Sequence, residues 1–278
     1  TEHVRNIVLV GQDGAGKTSL AEAMLYVSGK TPRMGTTHDG KSYLDYDPEE
    51  IKRKFTISTS IAPVPYKDYK INVLDTSGHP DFIGDTLATM QAAEMALFMV
   101  DAVAGPQVMT TKLWREAENT LHARFGSRLG AVTIPMGVDA DFKGVIDVIR
   151  MKARYHEASS ADERVDEIPA EYAEAAQAAR DKLCDLVAEA DDELMMKYLD
   201  GEEQLTQEEL ESLLDKAIAQ ELFIPVFVGS TIIMQGVQGL MEDICTYFPH
   251  PRSHGRFQMA DGESIKIDES KRPAAFVF

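Results

Sequence analysis

The chain has 278 residues, 44% of them hydrophobic, and carries 28 Lys and Arg against 46 Asp and Glu, for a formal net charge of −18. That is enough for one large core, or for one core with an inserted subdomain. The acid excess argues against nonspecific nucleic-acid binding, which depends on cations that neutralise phosphate. No run of about 18 uncharged apolar residues predicts a membrane span, and no basic-then-apolar N-terminus predicts a secretory signal. The two cysteines, Cys184 and Cys245, point to a reducing, cytoplasmic compartment with two buried thiols.

Asn6-Ile-Val-Leu-Val10 is a short apolar run that reads as a buried strand. Gly11-Gln12-Asp13-Gly14-Ala15-Gly16-Lys17-Thr18 follows and spells G-x-x-x-x-G-K-[ST]. From Ser19 to Tyr26 come helix formers, with Leu20, Met24 and Leu25 on one face. Strand, glycine-rich turn and helix start together make an anion cradle. Backbone N–H groups and the helix dipole face the phosphates, Lys17 adds a point charge, and the Thr18 hydroxyl can hold Mg²⁺. The chain reads as a binder of a nucleoside polyphosphate.

A polar segment runs from Gly29 to Lys54, and segments of that length inside a domain are usually functional or disordered. Strand-like runs follow at Phe55 to Pro63 and Tyr69 to Leu74. The second ends at Asp75 and leads into Thr76-Ser77-Gly78-His79. In phosphate-loop enzymes the acid at the end of such a strand reaches Mg²⁺ through water. A glycine just beyond it lets a backbone N–H approach the γ-phosphate. Read alone, Asp-Thr-Ser-Gly is an ordinary turn.

Next come a helix from about Asp81 to Ala93, a buried strand from Met95 to Asp101 and a helix from Val108 to about Asn119. Between Glu157 and Asp215 about twenty acids face about four bases, with helical patterns at Ala173 to Ala190, Asp192 to Tyr198 and Thr206 to Ala219. Thr206 and Glu209 have capping-box spacing. Such a charge run is either a solvated helix face or a docking surface for a basic partner. Leu222 to Val228 is the next strand, with Pro225 suggesting an edge or a bulge. Gln235 to Tyr247 forms a closing helix, and Arg252 to Arg272 reads as a linker.

Asp75-Thr-Ser-Gly-His79-Pro-Asp-Phe82 resembles the D-T-P-G-H-x-D-F second switch of translational GTPases. Phe142-Lys-Gly144-Val-Ile-Asp147, ending at Lys152, resembles the opening of the insert of elongation factor G. Gly229-Ser230, Gly236-Val-Gln-Gly-Leu240 and Tyr247-Phe-Pro249-His-Pro251 resemble the end of that factor's GTPase domain. These stretches keep the family's order across nearly the whole chain.

The resemblance implies an α/β fold, a P-loop NTPase of GTPase type with an inserted α+β subdomain. Residues 1–130 would be the first part of the GTPase domain, 131–222 the acidic insert, and 223–252 the domain's final strand and helix. Residues 253–278 would be a linker and the start of a β-barrel domain, whose first strand Arg272-Pro-Ala-Ala-Phe-Val-Phe278 resembles. GTP or GDP is the implied ligand, with Mg²⁺ held by Thr18, Thr56 and, through water, Asp75. Thr56 is included because Lys52-Arg-Lys-Phe-Thr56-Ile resembles the first switch. The implied nucleotide contacts are Gly11, Gln12, Asp13, Gly14, Ala15, Gly16, Lys17, Thr18, Ser19, Asp75, Thr76, Ser77, Gly78 and His79. Ser230 and Thr231 would lie on the base side. Lys17, Gly78 and His79 are the implied catalytic groups, with His79 orienting the attacking water. The implied partner is the ribosome, met through its stalk protein by the acidic insert, for a monomer with no membrane and no sequence-specific nucleic acid.

The chain also departs from the family. Gln12, Asp13 and Gly14 replace the His, aliphatic and Asp residues of G-H-[IV]-D-x-G-K-T. Phe55 stands for the usual Ile, Lys54 for the preceding Gly, and Ser77 for the second-switch Pro. The metal and phosphate ligands are kept while the hydrolysis gate is altered. No [NT]-K-x-D occurs, although the family reads guanine with that Asp. After Thr120 the chain continues as Leu121-His-Ala-Arg124, which resembles a later stretch of the family. Either roughly twenty residues are missing there or a core strand has been lost, which would unpair a row of buried backbone groups. Three alternatives remain: a non-hydrolysing regulatory module, another P-loop hydrolase or kinase, and a ribosomal protection-type GTPase, against which the insert argues.

Overall fold

A computed structural model describes residues 2–121, 128–157, 162–200, 205–253, 256–258 and 264–266. It divides into two compact units, Thr1–His122 with Pro249–Phe278, and Ala123–Phe248. The stretch Arg272–Phe278, expected to be a strand, lies outside the described residues, as do residues 122–127.

The first unit is built on a sheet of order β2-β3-β1-β4. β1 (Val4–Gly11) runs parallel to β3 (Tyr69–Asp75) and to β4 (Met95–Met99), and β2 (Ser60–Tyr66) pairs antiparallel with β3. Among the described residues, β1 is the only strand paired with β4. β1 is central, so Ile7, Val8, Leu9 and Val10 are all buried, the pattern of a strand covered on both faces. Val8 and Val10 pack with Leu74, Met109 and Leu113. The last two belong to α4 (Val108–Leu121), and α3 (Ile83–Met90) adds Ile83, Leu87 and Met90 to the same cluster. α1 (Lys17–Val27) packs across β1, β2 and β3.

A short helix, α2 (Pro48–Arg53), interrupts the long polar segment. Asp47 caps it by accepting from the Glu49 amide at 2.7 Å, and Glu50 closes a capping box. The strand expected from Phe55 begins only at Ser60. Glu50 accepts from the amides of Ile57 (2.9 Å) and Ser58 (3.1 Å), so residues 57 and 58 are bound to a side chain and not to a ladder.

In the second unit, β5 (Leu129–Ala131) pairs in parallel with β10 (Ile224–Val226). A meander follows β5: β6 (Thr133–Met136), β7 (Gly144–Asp147), β8 (Lys152–His156) and β9 (Glu163–Asp166), each antiparallel to the next. Then come α5 (Ala173–Val187), α6 (Asp192–Asp200), α7 (Gln207–Ala219) and, after β10, α8 (Val237–Tyr247). α7 buries Leu210, Leu213, Leu214, Ala217 and Ile218, the i, i+3, i+4, i+7, i+8 stripe of a core-facing helix. The Thr206–Glu209 capping box forms at its start. β11 (Arg256–Gln258) and β12 (Ser264–Lys266) make an antiparallel pair near the C-terminus. Among the described residues no helix is long and apolar enough to cross a membrane.

The meander and α8 are tied by buried and half-buried charges. Arg154 Nε donates to Glu163 at 2.9 Å and its Nη2 to Glu242 at 2.7 Å. Arg150 bridges Asp147 (2.9 Å) and Asp243 (2.8 Å). Burial still pushes the Asp243 carboxyl up to about 6, against the pull of Arg150. Removing one partner strands the others away from water. Arg154→Met is expected to cost this unit about 3–5 kcal/mol, read as a lower urea midpoint with an unchanged slope.

Candidate functional site

β1 delivers the chain to Gly11 and α1 starts six residues later at Lys17. Gly16 caps α1 in the left-handed region (φ 90°, ψ 18°) and supplies no side-chain acceptor. The first-turn amides are therefore left for an external acceptor, and the helix dipole makes an anion the natural one. Lys17 is buried and folds back over the loop, its Nζ donating to the carbonyls of Gly11 (3.2 Å) and Gln12 (3.0 Å). Burial lowers its pKa, while Asp75 and Asp13 work to raise it.

β3 brings Asp75 beside Leu9 of β1, close to the loop. Asp75 is fully buried, and neither carboxylate oxygen has a hydrogen-bond partner. Burial drives its carboxyl up to about 7, although the nearby Thr18 hydroxyl and Lys17 ammonium pull it back; Thr18 does so without closing a hydrogen bond. The hydroxyls of Thr18 and Thr56 lie 2.9 Å apart, and Thr56 donates to Asp45 Oδ1 at 2.8 Å. Asp45 Oδ2 is also buried without a partner. Burial raises the pKa of Asp45 too.

Two hydroxyls and two under-satisfied carboxylates are a hard-oxygen donor set, the kind a divalent cation such as Mg²⁺ takes. Orphaned buried oxygens on Asp75 and Asp45 fit such an ion. Thr18, Thr56 and Asp75, the expected ligands, thus come together. Asp45 joins them unforeseen, because a lone acid in a polar segment carries no local motif.

The second switch lies against the loop. The Gly78 carbonyl accepts from the Asp13 amide at 3.2 Å. A Cβ at Gly78 would lie 2.3 Å from the Asp13 nitrogen and 2.5 Å from Lys17 Nζ, so only glycine fits. Thr76 is anchored by its hydroxyl to the Leu9 carbonyl (2.7 Å), and the Ser77 carbonyl accepts from Thr86 (3.1 Å). The His79 ring stacks on Phe55, centroids 5.6 Å apart and planes 14° apart, with Phe82 at 5.7 Å on a tilt. Its Nδ1 accepts from the Asp81 amide at 3.3 Å, which puts the proton of the neutral ring on Nε2. Lys54, just before Phe55, adopts φ 61° at the end of α2, the conformation in which glycine is at ease. Ser230 and Thr231 belong to the second unit, where the Ser230 amide donates to the Gln235 carbonyl at 3.0 Å.

Parallel strands, a glycine-rich loop opening a buried-core helix, and a carboxylate at the end of the neighbouring strand define a P-loop GTPase domain. Residues 2–124 match the family model described as "Elongation factor Tu GTP binding domain". A crystal structure of a protein from Thermus thermophilus matches with a TM-score of 0.81 and 30% identity, over 92% of this chain. The match covers 42% of that protein, so this chain spans about two fifths of its length. Over residues 2–124 the chain is thus similar to the GTP-binding domain of elongation factor Tu, and over most of its length it shares the fold of that Thermus thermophilus protein.

The Asp75 carboxyl gives a stability test. Its pKa rises from 3.8 to about 7 on folding, so the folded chain holds a proton that the unfolded chain has released. Rising pH between those values therefore favours unfolding, and the loss is complete above about pH 7. Asp75→Asn is expected to raise the melting temperature of the nucleotide-free protein at pH 7.5 by several degrees, on the order of 2–4 kcal/mol. The gain should shrink as pH falls toward 4. Melting curves of both proteins across that range check it.

Proposed function

We propose that this chain binds GTP with Mg²⁺ and hydrolyses it to GDP and phosphate as the GTPase part of a factor that works on the ribosome. The observation that carries this reading is the convergence of Lys17, Thr18, Thr56 and the orphaned Asp75 oxygens at the uncapped start of α1. Lys17 exchanges its loop carbonyls for β- and γ-phosphate oxygens, and the first-turn amides of α1 take the rest. Mg²⁺ would be held by the Thr18 and Thr56 hydroxyls with Asp75 and Asp45 alongside. When bound, it neutralises charge on the phosphates. The close approach of Gly78 brings its amide to the γ-phosphate, and His79 holds a water for in-line attack. The bond from the γ-phosphorus to the bridging oxygen breaks, the water oxygen bonds to that phosphorus, and the water proton ends on phosphate. His79 orients that water and need not take its proton.

The experiment that tests this is nucleotide binding and turnover with GTP and with ATP. Lys17→Ala is expected to weaken GTP binding by at least about 100-fold, because Lys17 meets phosphates before and during reaction. His79→Ala should leave affinity within about threefold and slow hydrolysis by about 100-fold or more. Equal losses of affinity in both would remove His79 from its role. A second reading, a regulatory module with slow or no hydrolysis, is favoured by the stack of His79 on Phe55. Turnover with and without ribosomes separates the two.

The acid-rich helices would dock the ribosomal stalk through charge. Asp191 is already engaged within the chain, since it accepts from the amides of Glu193 and Leu194, each at 3.1 Å, and pairs with Lys216. Asp192 and Glu193 are exposed beside it. Asp192→Asn with Glu193→Gln is expected to slow ribosome association several-fold at low salt and leave GTP affinity unchanged, since exposed charges are screened beyond about 10 Å at 0.1 M salt. An on-rate indifferent to salt and to both substitutions would make the charge run a solvated surface.

A further inference from the structure

Glu22 stands on α1, five residues beyond Lys17, with its side chain wholly buried. The chemistry proposed above makes no use of it. One carboxylate oxygen accepts from Ser42 Oγ (2.7 Å) and from the amides of Tyr43 (2.6 Å) and Leu44 (3.2 Å). The other accepts from the Gly35 amide at 3.1 Å. All four donors belong to residues 35–44, the middle of the polar segment that precedes Thr56. A Cβ at Gly35 would fall 2.3 Å from Glu22 Oε2, so a larger residue there would push against the carboxylate.

The bonds continue toward the candidate metal ligands. Leu44, held by Glu22 through its amide, accepts from Ser60 Oγ through its carbonyl at 2.9 Å. The next residue, Asp45, holds the Thr56 hydroxyl, which in turn bonds the Thr18 hydroxyl. Every link in this path, from α1 through the segment to Thr56 and back to α1, is a bond within the chain.

Burying a carboxylate is expensive, and four neutral donors offset that cost only while the segment stays down. Lifting it would strand the charge in the interior or draw water in after it. We propose that Glu22 is a positioning residue: its buried carboxylate holds residues 35–45 on α1 whatever nucleotide is bound, so that Thr56 reaches Thr18 without needing the γ-phosphate to order the segment. The inference deepens the GTPase reading and rests on it for its nucleotide arm alone.

The test combines hydrogen exchange with binding, on the full chain. Gln in place of Glu22 keeps the shape but has one acceptor oxygen, so its amide group must confront one of the four donors. Gly35→Ala is the second variant. Exchange is followed in peptides covering residues 30–46, without nucleotide, with GDP, and with a non-hydrolysable GTP analogue. Wild type should protect the amides of Gly35, Tyr43 and Leu44 in all three states. Both variants should lose about tenfold of that protection without nucleotide and with GDP, and regain it with the analogue.

Analogue affinity should fall about tenfold while GDP affinity holds within about twofold, because only the analogue must then order the segment. Rapid exchange of these amides in nucleotide-free wild type would overturn the proposal. So would equal losses of analogue and GDP affinity, which would mark Glu22 as merely structural. Protection of β1 amides reports whether each variant is folded; should either fail, Ser42→Ala, which removes one donor, is expected to shift both readouts the same way by a smaller factor. If wild type bound neither nucleotide, the GTPase reading would fall while exchange in the nucleotide-free protein still judged the latch.

Discussion

The parallel pairing of β1 with β3 is the constraint on which the site depends. Its register sets Leu9 beside Asp75, so two segments more than sixty positions apart end at one place. The glycine-rich loop leaves from one strand and the second switch from the other. Their meeting is recorded in the Thr76 hydroxyl on the Leu9 carbonyl and the Gly78 carbonyl on the Asp13 amide. A slip of one residue would turn Asp75 to the other face of the sheet.

What gathers at that place is a cluster of buried carboxyl groups. Asp75 and Asp45 lie under-satisfied in the interior, and Glu22 adds a third buried carboxylate nearby. Asp45 and Glu22 both push the Asp75 pKa upward. Of the three, only Glu22 has both oxygens hydrogen-bonded, and its partners lie in the polar segment. Carboxylates would thus serve two ends here: fully bonded, one would fix a loop; with oxygens left open, the others would leave room for a cation.

The phosphate loop was legible because its chemistry is contiguous: Gly11 to Thr18 supply the turn, the amides, the cation and the hydroxyl within eight residues. The stripe and capping box of α7 were legible for the same reason, being local and periodic. Thr56 could be named only through resemblance, since a threonine opening a β-rich run is ordinary. Asp45 and Glu22 could not be named at all, because their partners lie 11 to 22 positions away. The expected start of β2 at Phe55 missed the side chain of Glu50, which claims two amides that propensity alone assigns to the sheet. The capping box of Asp47 and Glu50 was spelled in the sequence, but the polar segment around it masked the helix.

The unfinished start of α1 has one more consequence, and it concerns the lifetime of the protein. Gly16 offers its helix no side-chain acceptor, and the amides behind it, like the orphaned oxygens of Asp75, are completed only by something from outside. A ligand that completes them in the folded chain alone stabilises that chain by mass action, about 2.7 kcal/mol at a hundred times its dissociation constant. Proteases that cut the opened form would then find less of it. For a chain built this way, the supply of its ligand would add to how long each copy survives, quite apart from what each copy does.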